Sequence, residues 1–159
     1  MSHASKLQNA GLLSEFGKFI GLPDLSFDKS RTCTLSFDET VIFLREENDG
    51  SLIVYAPLLE VPEDNKATIQ TLLLNANFMF QGTRGATMSM AEHSSFATIA
   101  VHMKPFSLSL KALTEVVEEF LKLVDFWQDK LSKIIVSDGG QATADSGEEV
   151  LTARRGLKA

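Results

Sequence analysis

The chain has 159 residues, 44% hydrophobic and 23% charged, with a formal net charge of −6, a length that fits one domain able to bury its own core. An acidic balance without clustered Lys and Arg argues against a general affinity for nucleic acid or anionic membrane. No apolar run approaches the ~20 residues of a membrane-spanning helix, and the single cysteine, Cys33, excludes an internal disulfide.

The segment MSHASKLQNAGLL lacks the cationic start and continuous apolar core of a signal peptide, so the expectation is a soluble, cytoplasmic protein. From about Ser5 to Ile20, the residues Leu13, Phe16 and Ile20, flanked by Leu12 and Phe19, return at helical spacing and predict a first helix. Gly21 offers a left-handed C-cap, Leu22 the hydrophobic contact that often follows it, and Pro23 a block to further helix.

Three strands follow. In Arg31–Phe37 the polar Thr32, Thr34 and Ser36 alternate with Cys33, Leu35 and Phe37, the period of a half-buried strand. Thr40–Glu46 sets Val41 and Phe43 against Ile42 and Leu44. After the turn residues Asn48-Asp49-Gly50, Ser51–Ala56 sets Leu52 and Val54 against Ile53 and Tyr55. Strands apolar on both faces need cover on both sides, and a chain this short leaves part of that cover to another chain.

Pro62-Glu63-Asp64 opens a second helix, with Ile69, Leu72, Leu73 and Ala76 on its apolar side and fraying near Asn75–Asn77. Gly82 and Gly85 bracket a turn. Two more strands are expected at Ala86–Met90 and Ser95–Met103. Ser107 or Ser109 caps the last and longest helix, where Leu110, Leu113, Val117, Phe120, Val124, Trp127, Leu131 and Ile134 form a seam at three-four spacing. The additional Val116, Leu121, Leu123 and Phe126 widen it toward a globular core helix. From Ser137 the composition turns to Gly, Ser, Ala, Thr and charges, which predicts a flexible tail over 137–159 behind a domain of 1–136. The order α-β-β-β-α-β-β-α describes an α+β domain with a twisted, mostly antiparallel sheet.

Catalytic chemistry has no foothold in this pattern. His3, His93 and His102 are scattered, and none joins Cys or carboxylates at metal-ligand spacing, so no metal and no cofactor are expected. Gly82-Thr83-Arg84-Gly85 lacks the lysine and following helix of a phosphate loop. Glu115, Glu118, Glu119 and Asp125 read as a solvated helix face, and Asp28 and Asp38 as turn residues. Cys33 reads as a small core hydrophobe, and Met88, Met90 and Met103 as gap fillers.

The segments LLSEFGKFIGLPDL, CTLSFDETVIFL, LIVYAPLLEVP and TIQTLLLNANFMFQGTRGATMSM, with the final helix and its Trp127, resemble the class I chaperones of bacterial type III secretion systems from Lys6 to Leu131. The resemblance implies a non-enzymatic homodimer that binds the N-terminal segment of a cognate secreted effector in extended form. It implies that the client is held without ATP and released at the secretion ATPase. It also puts the two-fold interface at the second helix and the strand after it, at Leu72, Leu73, Met88 and Met90. A client held unfolded needs backbone partners and apolar pockets, which places its surface on the first helix and first strands, at Leu13, Phe16, Ile20, Cys33, Leu35 and Phe37. Alternatively these six form the core between helix and sheet. Two rival functions stay open: an adaptor or regulatory protein on the same fold without a secreted client, and a small dimeric enzyme whose site is built across the interface.

Overall fold

The computed structural model describes residues 3–141. Along the chain these form α1 (His3–Phe19), β1 (Thr32–Phe37), β2 (Thr40–Glu46), β3 (Leu52–Glu60), α2 (Lys66–Asn77), β4 (Thr87–Met90), β5 (Phe96–Met103) and α3 (Leu110–Gln141). The order is the one the periodicities predict. α1 stops where Gly21 takes φ +82°. The Leu22 N–H then donates to the Gly17 carbonyl at 2.7 Å and the Gly21 N–H to the Lys18 carbonyl at 3.3 Å, the paired bonds of a Schellman cap. Leu22 itself stays exposed. The space beside Gly17 belongs to Leu25, whose Cβ would lie 2.6 Å from any Cβ added there.

The five strands make one antiparallel sheet in the order β1-β2-β3-β5-β4. β3 runs to Glu60, beyond the predicted end at Ala56 and through Pro57. Pairing of β2 with β3 ends at Tyr55, so the nitrogen of Pro57 faces a side with no strand beside it and its missing N–H takes no bond from the ladder; the register with β5 shifts between Pro57 and Leu59. A 3-10 turn at Glu63–Asn65 follows Pro62, and the α-helix begins only at Lys66. The Ser109 hydroxyl, not that of Ser107, accepts the Ala112 N–H at 3.1 Å and so caps α3. α3 continues past Ser137 to Gln141. The rest of the segment read as a tail lies outside the described residues.

One core cluster takes alternate residues from every strand, Leu13 and Phe16 of α1, Ile69 and Leu73 of α2, and Leu113, Val117, Phe120, Val124, Trp127 and Leu131 of α3. The buried strand residues all lie on one face of the sheet, because cross-strand partners such as Cys33, Leu44 and Val54 are buried together. The other face stays open among the described residues. There Val41 is exposed, while Phe43 and Tyr55 are half-buried and stack with ring centroids 5.0 Å apart.

Candidate functional site

Of the six residues predicted to meet a client, Leu13, Phe16, Cys33 and Leu35 are buried core, Phe16 being only 1% exposed. Ile20 and Phe37 are half-buried against the same core and reach the surface. The reason is geometric. Period-two strand residues on the covered face and the inner stripe of α1 are the same apolar set that closes the core. Burial, with the Asp28 charge adding to it, pushes the Cys33 thiol up to about 11 from its ordinary 9.0. Iodoacetamide at pH 8 is therefore expected to label the folded protein at least ~100-fold more slowly than the urea-unfolded chain. The unfolded thiol ionises first, so stability contributed by the neutral thiol is complete below the unfolded value and falls as pH rises between about 9.0 and 11.

The two edges of the sheet differ. At β4 the Asn77 side chain closes the rim: its amide nitrogen donates to the Met88 carbonyl at 2.8 Å and its oxygen accepts the Met88 N–H at 2.9 Å. One side-chain amide thus occupies both main-chain groups that Met88 would offer a further strand. At β1 the outer rim is closed only at its start. The Thr32 carbonyl accepts the Asp28 N–H and the Thr32 N–H donates to Asp28 Oδ1, 2.9 Å away. Backbone groups alternate along a strand, so Thr34 and Ser36 also point outward while Cys33, Leu35 and Phe37 face β2. Among the described residues the Thr34 carbonyl meets only the Cys33 thiol, 4.0 Å away.

α1 is tied to the sheet by a polar clasp that no local pattern announces. The Glu46 carboxylate, with a side chain 0% exposed, pairs with Arg31, whose Nε lies 2.5 Å from Oε2. Its other oxygen accepts from Asn9 Nδ2 at 2.8 Å, and Asn9 Nδ2 also donates to the Gly50 carbonyl at 2.9 Å. Arg31 has φ +59° and lays its guanidinium over the Phe27 ring at 4.8 Å.

Of the residues predicted for a two-fold contact, Leu73 and Met88 are core, whereas Leu72 and Met90 are half-buried against it. Adjacent residues on a helix point about 100° apart, so Leu72 and Leu73 cannot share a role. Surface the prediction missed follows directly. Leu74, Phe78, Met79 and Phe80 are 71%, 69%, 72% and 56% exposed. Beside them a groove of about 750 Å3 runs between α2 and α3, floored by Phe126 and Trp127 and rimmed by Arg84, Lys122 and Lys130. The Trp127 Nε1–H donates to the Gly82 carbonyl at 3.1 Å, and Gly82 abuts Ala76 too closely for a side chain, since a Cβ would lie 3.0 Å away. Lys130 Nζ hangs 4.6 Å from the Trp127 ring centroid and 5.8 Å from that of Phe126.

Two further charged groups are occupied with structure. Asp28 Oδ1 accepts the Ser30 and Thr32 N–H groups, an Asx turn. The Lys122 ammonium, hydrogen-bonded to Glu119 at 2.7 Å, holds that carboxyl below the usual range, with Arg84 adding to it. Among the described residues no group of three His, Cys, Asp or Glu could hold a metal ion, and no helix is long and apolar enough to cross a membrane.

Residues 11–128 match the model of the Tir chaperone protein (CesT) family. Among solved structures, the chain is similar to one in the ExsC-ExsE complex, with a TM-score of 0.68, 23% identity, and coverage of 81% of this chain and 96% of that one. It is also similar to a chain in the HopA1-SchA chaperone-effector complex, with a TM-score of 0.66, 20% identity, and coverage of 81% and 99%. A third likeness is to the complex of the Yersinia pestis type III secretion chaperone SycH with a fragment of YscM2, at a TM-score of 0.58, 13% identity, and coverage of 74% and 98%. At such identities these likenesses establish a shared fold. No curated protein sequence matches the chain.

Proposed function

Since the chain belongs to the Tir chaperone protein (CesT) family, we propose that it is a type III secretion chaperone that holds the N-terminal segment of a secreted effector in extended form. In this reading it is a non-enzymatic, ATP-independent homodimer in the bacterial cytoplasm, and it gives up its client at the secretion ATPase. Structures of the same fold include a chaperone-effector complex.

The observation that carries the reading to a place on the molecule is the asymmetry of the sheet edges. An extended client gains main-chain hydrogen bonds by adding a strand to a rim. Asn77 takes the β4 rim at Met88, within a strand of only four residues, whereas among the described residues no backbone partner stands at Thr34 and Ser36 of the longer β1 rim. Side chains of an added strand would lie beside Phe37 on the covered face and beside Thr34 and Ser36 on the open one, with Val41 and Phe43 of β2 one strand further in. Ile20 and Phe37 supply apolar surface, and the buried Leu13, Phe16, Cys33 and Leu35 hold that surface in shape from beneath.

Thr34→Pro tests this. Its N–H points away from β2, so proline removes nothing from the β1-β2 ladder, and proline is tolerated on an outward edge. The variant is expected to keep its circular dichroism spectrum while affinity for the client's N-terminal peptide falls roughly tenfold or more, the loss of one or two hydrogen bonds plus a clash. The client itself is found by mass spectrometry of what copurifies from the native host. A folded Thr34→Pro protein with unchanged affinity would exclude strand addition at β1. A signalling protein in place of a secreted one would favour the adaptor.

A further inference from the structure

The outer rim of β1 is closed at one residue and open at the next two. Thr32, Thr34 and Ser36 turn their main-chain groups away from β2. Asp28 takes both groups of Thr32, donating its own N–H to the carbonyl at 2.8 Å and accepting the Thr32 N–H on Oδ1 at 2.9 Å. One aspartate thereby fills the place of a paired residue on a neighbouring strand, its carboxylate standing in for that residue's carbonyl. The same Oδ1 accepts the Ser30 N–H at 2.8 Å, and the Asp28 carbonyl accepts the Arg31 N–H at 3.0 Å.

An Asx turn that served only to reverse the chain would be free to swing away when another strand arrived. The loop that carries Asp28 is instead fastened to the sheet on both sides. Before it, Phe27 packs against the core, with the Arg31 guanidinium over its ring. After it, the Arg31 carbonyl accepts the Glu46 N–H at 2.9 Å, and the Arg31 side chain pairs with the buried Glu46 carboxylate. Moving Asp28 off Thr32 means breaking into that clasp or displacing Arg31, which is held at φ +59°.

We propose that Asp28 is a specificity-determining stop, which limits an added client strand to the two rungs at Thr34 and Ser36 and so fixes its register. This rests on the strand addition at β1 proposed above and adds its length. A strand bonded to both rungs uses two residues that lie two apart. The residue between them falls opposite Leu35, with its side chain on the covered face, and the other two side chains lie beside Thr34 and Ser36 on the open face. The matching client is a short extended stretch with an apolar residue centred between two that tolerate water. Its chain leaves the sheet before Thr32. At the other end, past Phe37, the rim opens onto a cleft between the Asp38-Glu39 turn and α3, where Leu121 and Gln128 line it.

The test uses the full chain, the N-terminal fragment of the effector that copurifies with it, and overlapping synthetic peptides of that fragment. Amide exchange is followed residue by residue by NMR. In the wild type, bound fragment is expected to slow the Thr34 and Ser36 amides about tenfold or more, while Thr32 and Ser30, already held by Asp28, keep their rates. Lengthening a peptide at the end that runs toward Thr32 is expected to stop improving affinity once it spans Thr34. Asp28→Asn keeps the accepting oxygen and should keep that plateau. Asp28→Ala removes it and, with its fold checked by circular dichroism, should move the plateau two residues further. The new rung should tighten binding about three- to tenfold. Faster Ser30 exchange in the bound wild type, with Thr32 still slow, means that the client has displaced Asp28. That result overturns the stop and leaves strand addition standing, as does an unmoved plateau in a folded Asp28→Ala protein. Thr34 and Ser36 amides that the fragment leaves unprotected overturn strand addition at β1 and the stop with it. Should Asp28→Ala not fold, the wild-type exchange pattern decides alone.

Discussion

Phe16→Ser is expected to unfold the protein, not to empty a client groove. The ring is 1% exposed within the cluster that joins α1 to the sheet and α3. Removing a buried aromatic costs about 3–5 kcal/mol, and a stranded hydroxyl adds about 1–3 kcal/mol. That is most of a total stability of roughly 5–15 kcal/mol, and where a folded population persists the melting temperature should fall by about 10–30 °C for a chain of this size. Phe19, on the same helix but 63% exposed, gives the control. Phe19→Ser should shift stability by no more than about 0.5 kcal/mol, so any loss of client binding in it is a loss of contact. Melting curves and a client pull-down on both variants decide the matter. A Phe16→Ser protein that melts like the wild type yet fails to hold the client would return Phe16 to the binding surface.

That contrast marks how far the sequence could be read. Periodicity placed Phe16 on the apolar stripe of α1 correctly, and the Gly21-Leu22-Pro23 stop, the Asn48-Asp49-Gly50 reversal and the Ser109 cap are local signals that the fold obeys. Periodicity is blind to whether an apolar stripe faces a core or a partner, because both need the same residues. The extension of β3 through Pro57 was hidden because a proline's tolerance depends on where the neighbouring strand ends, which is a tertiary fact. Asn77 looked like a fraying helix end. Its closing of the β4 rim depends on a strand eleven residues further on. The edge that remains open is therefore known only once the whole sheet is laid out. The corner at Phe78–Phe80 could have been suspected from three large apolar residues following a helix-terminating asparagine, a poor composition for an exposed turn.

The clasp around Glu46 is the least legible part and carries the other large expectation. Glu46 ends a strand in which alternation alone would put it on the covered face, and a buried carboxylate persists only with partners. Those partners come from far along the chain: Arg31 from before β1 and Asn9 from α1, thirty-seven residues away. Glu46→Ala leaves the Arg31 guanidinium without its counter-charge and Asn9 with only the Gly50 carbonyl. Breaking a buried pair by removing one partner costs about 3–5 kcal/mol. Glu46→Gln keeps an acceptor for Asn9 and loses only charge, so it should cost less, about 1–3 kcal/mol. Arg31 is 32% exposed at its side chain, so solvent screens part of the pair, and Arg31→Ala should cost less than Glu46→Ala. The ranking Glu46→Ala, then Glu46→Gln and Arg31→Ala, is read from denaturant midpoints at constant slope. Hydrogen exchange adds a spatial readout. The first half of α1 is held by the clasp and the second half by Leu13 and Phe16, so Glu46→Ala should speed exchange around Asn9 more than around Phe16. Uniform exchange along α1, or a Glu46→Ala midpoint within about 1 kcal/mol of the wild type, would mean that apolar packing alone seats the helix. The client edge proposed at β1, which begins just beyond Arg31, would then owe nothing to the clasp.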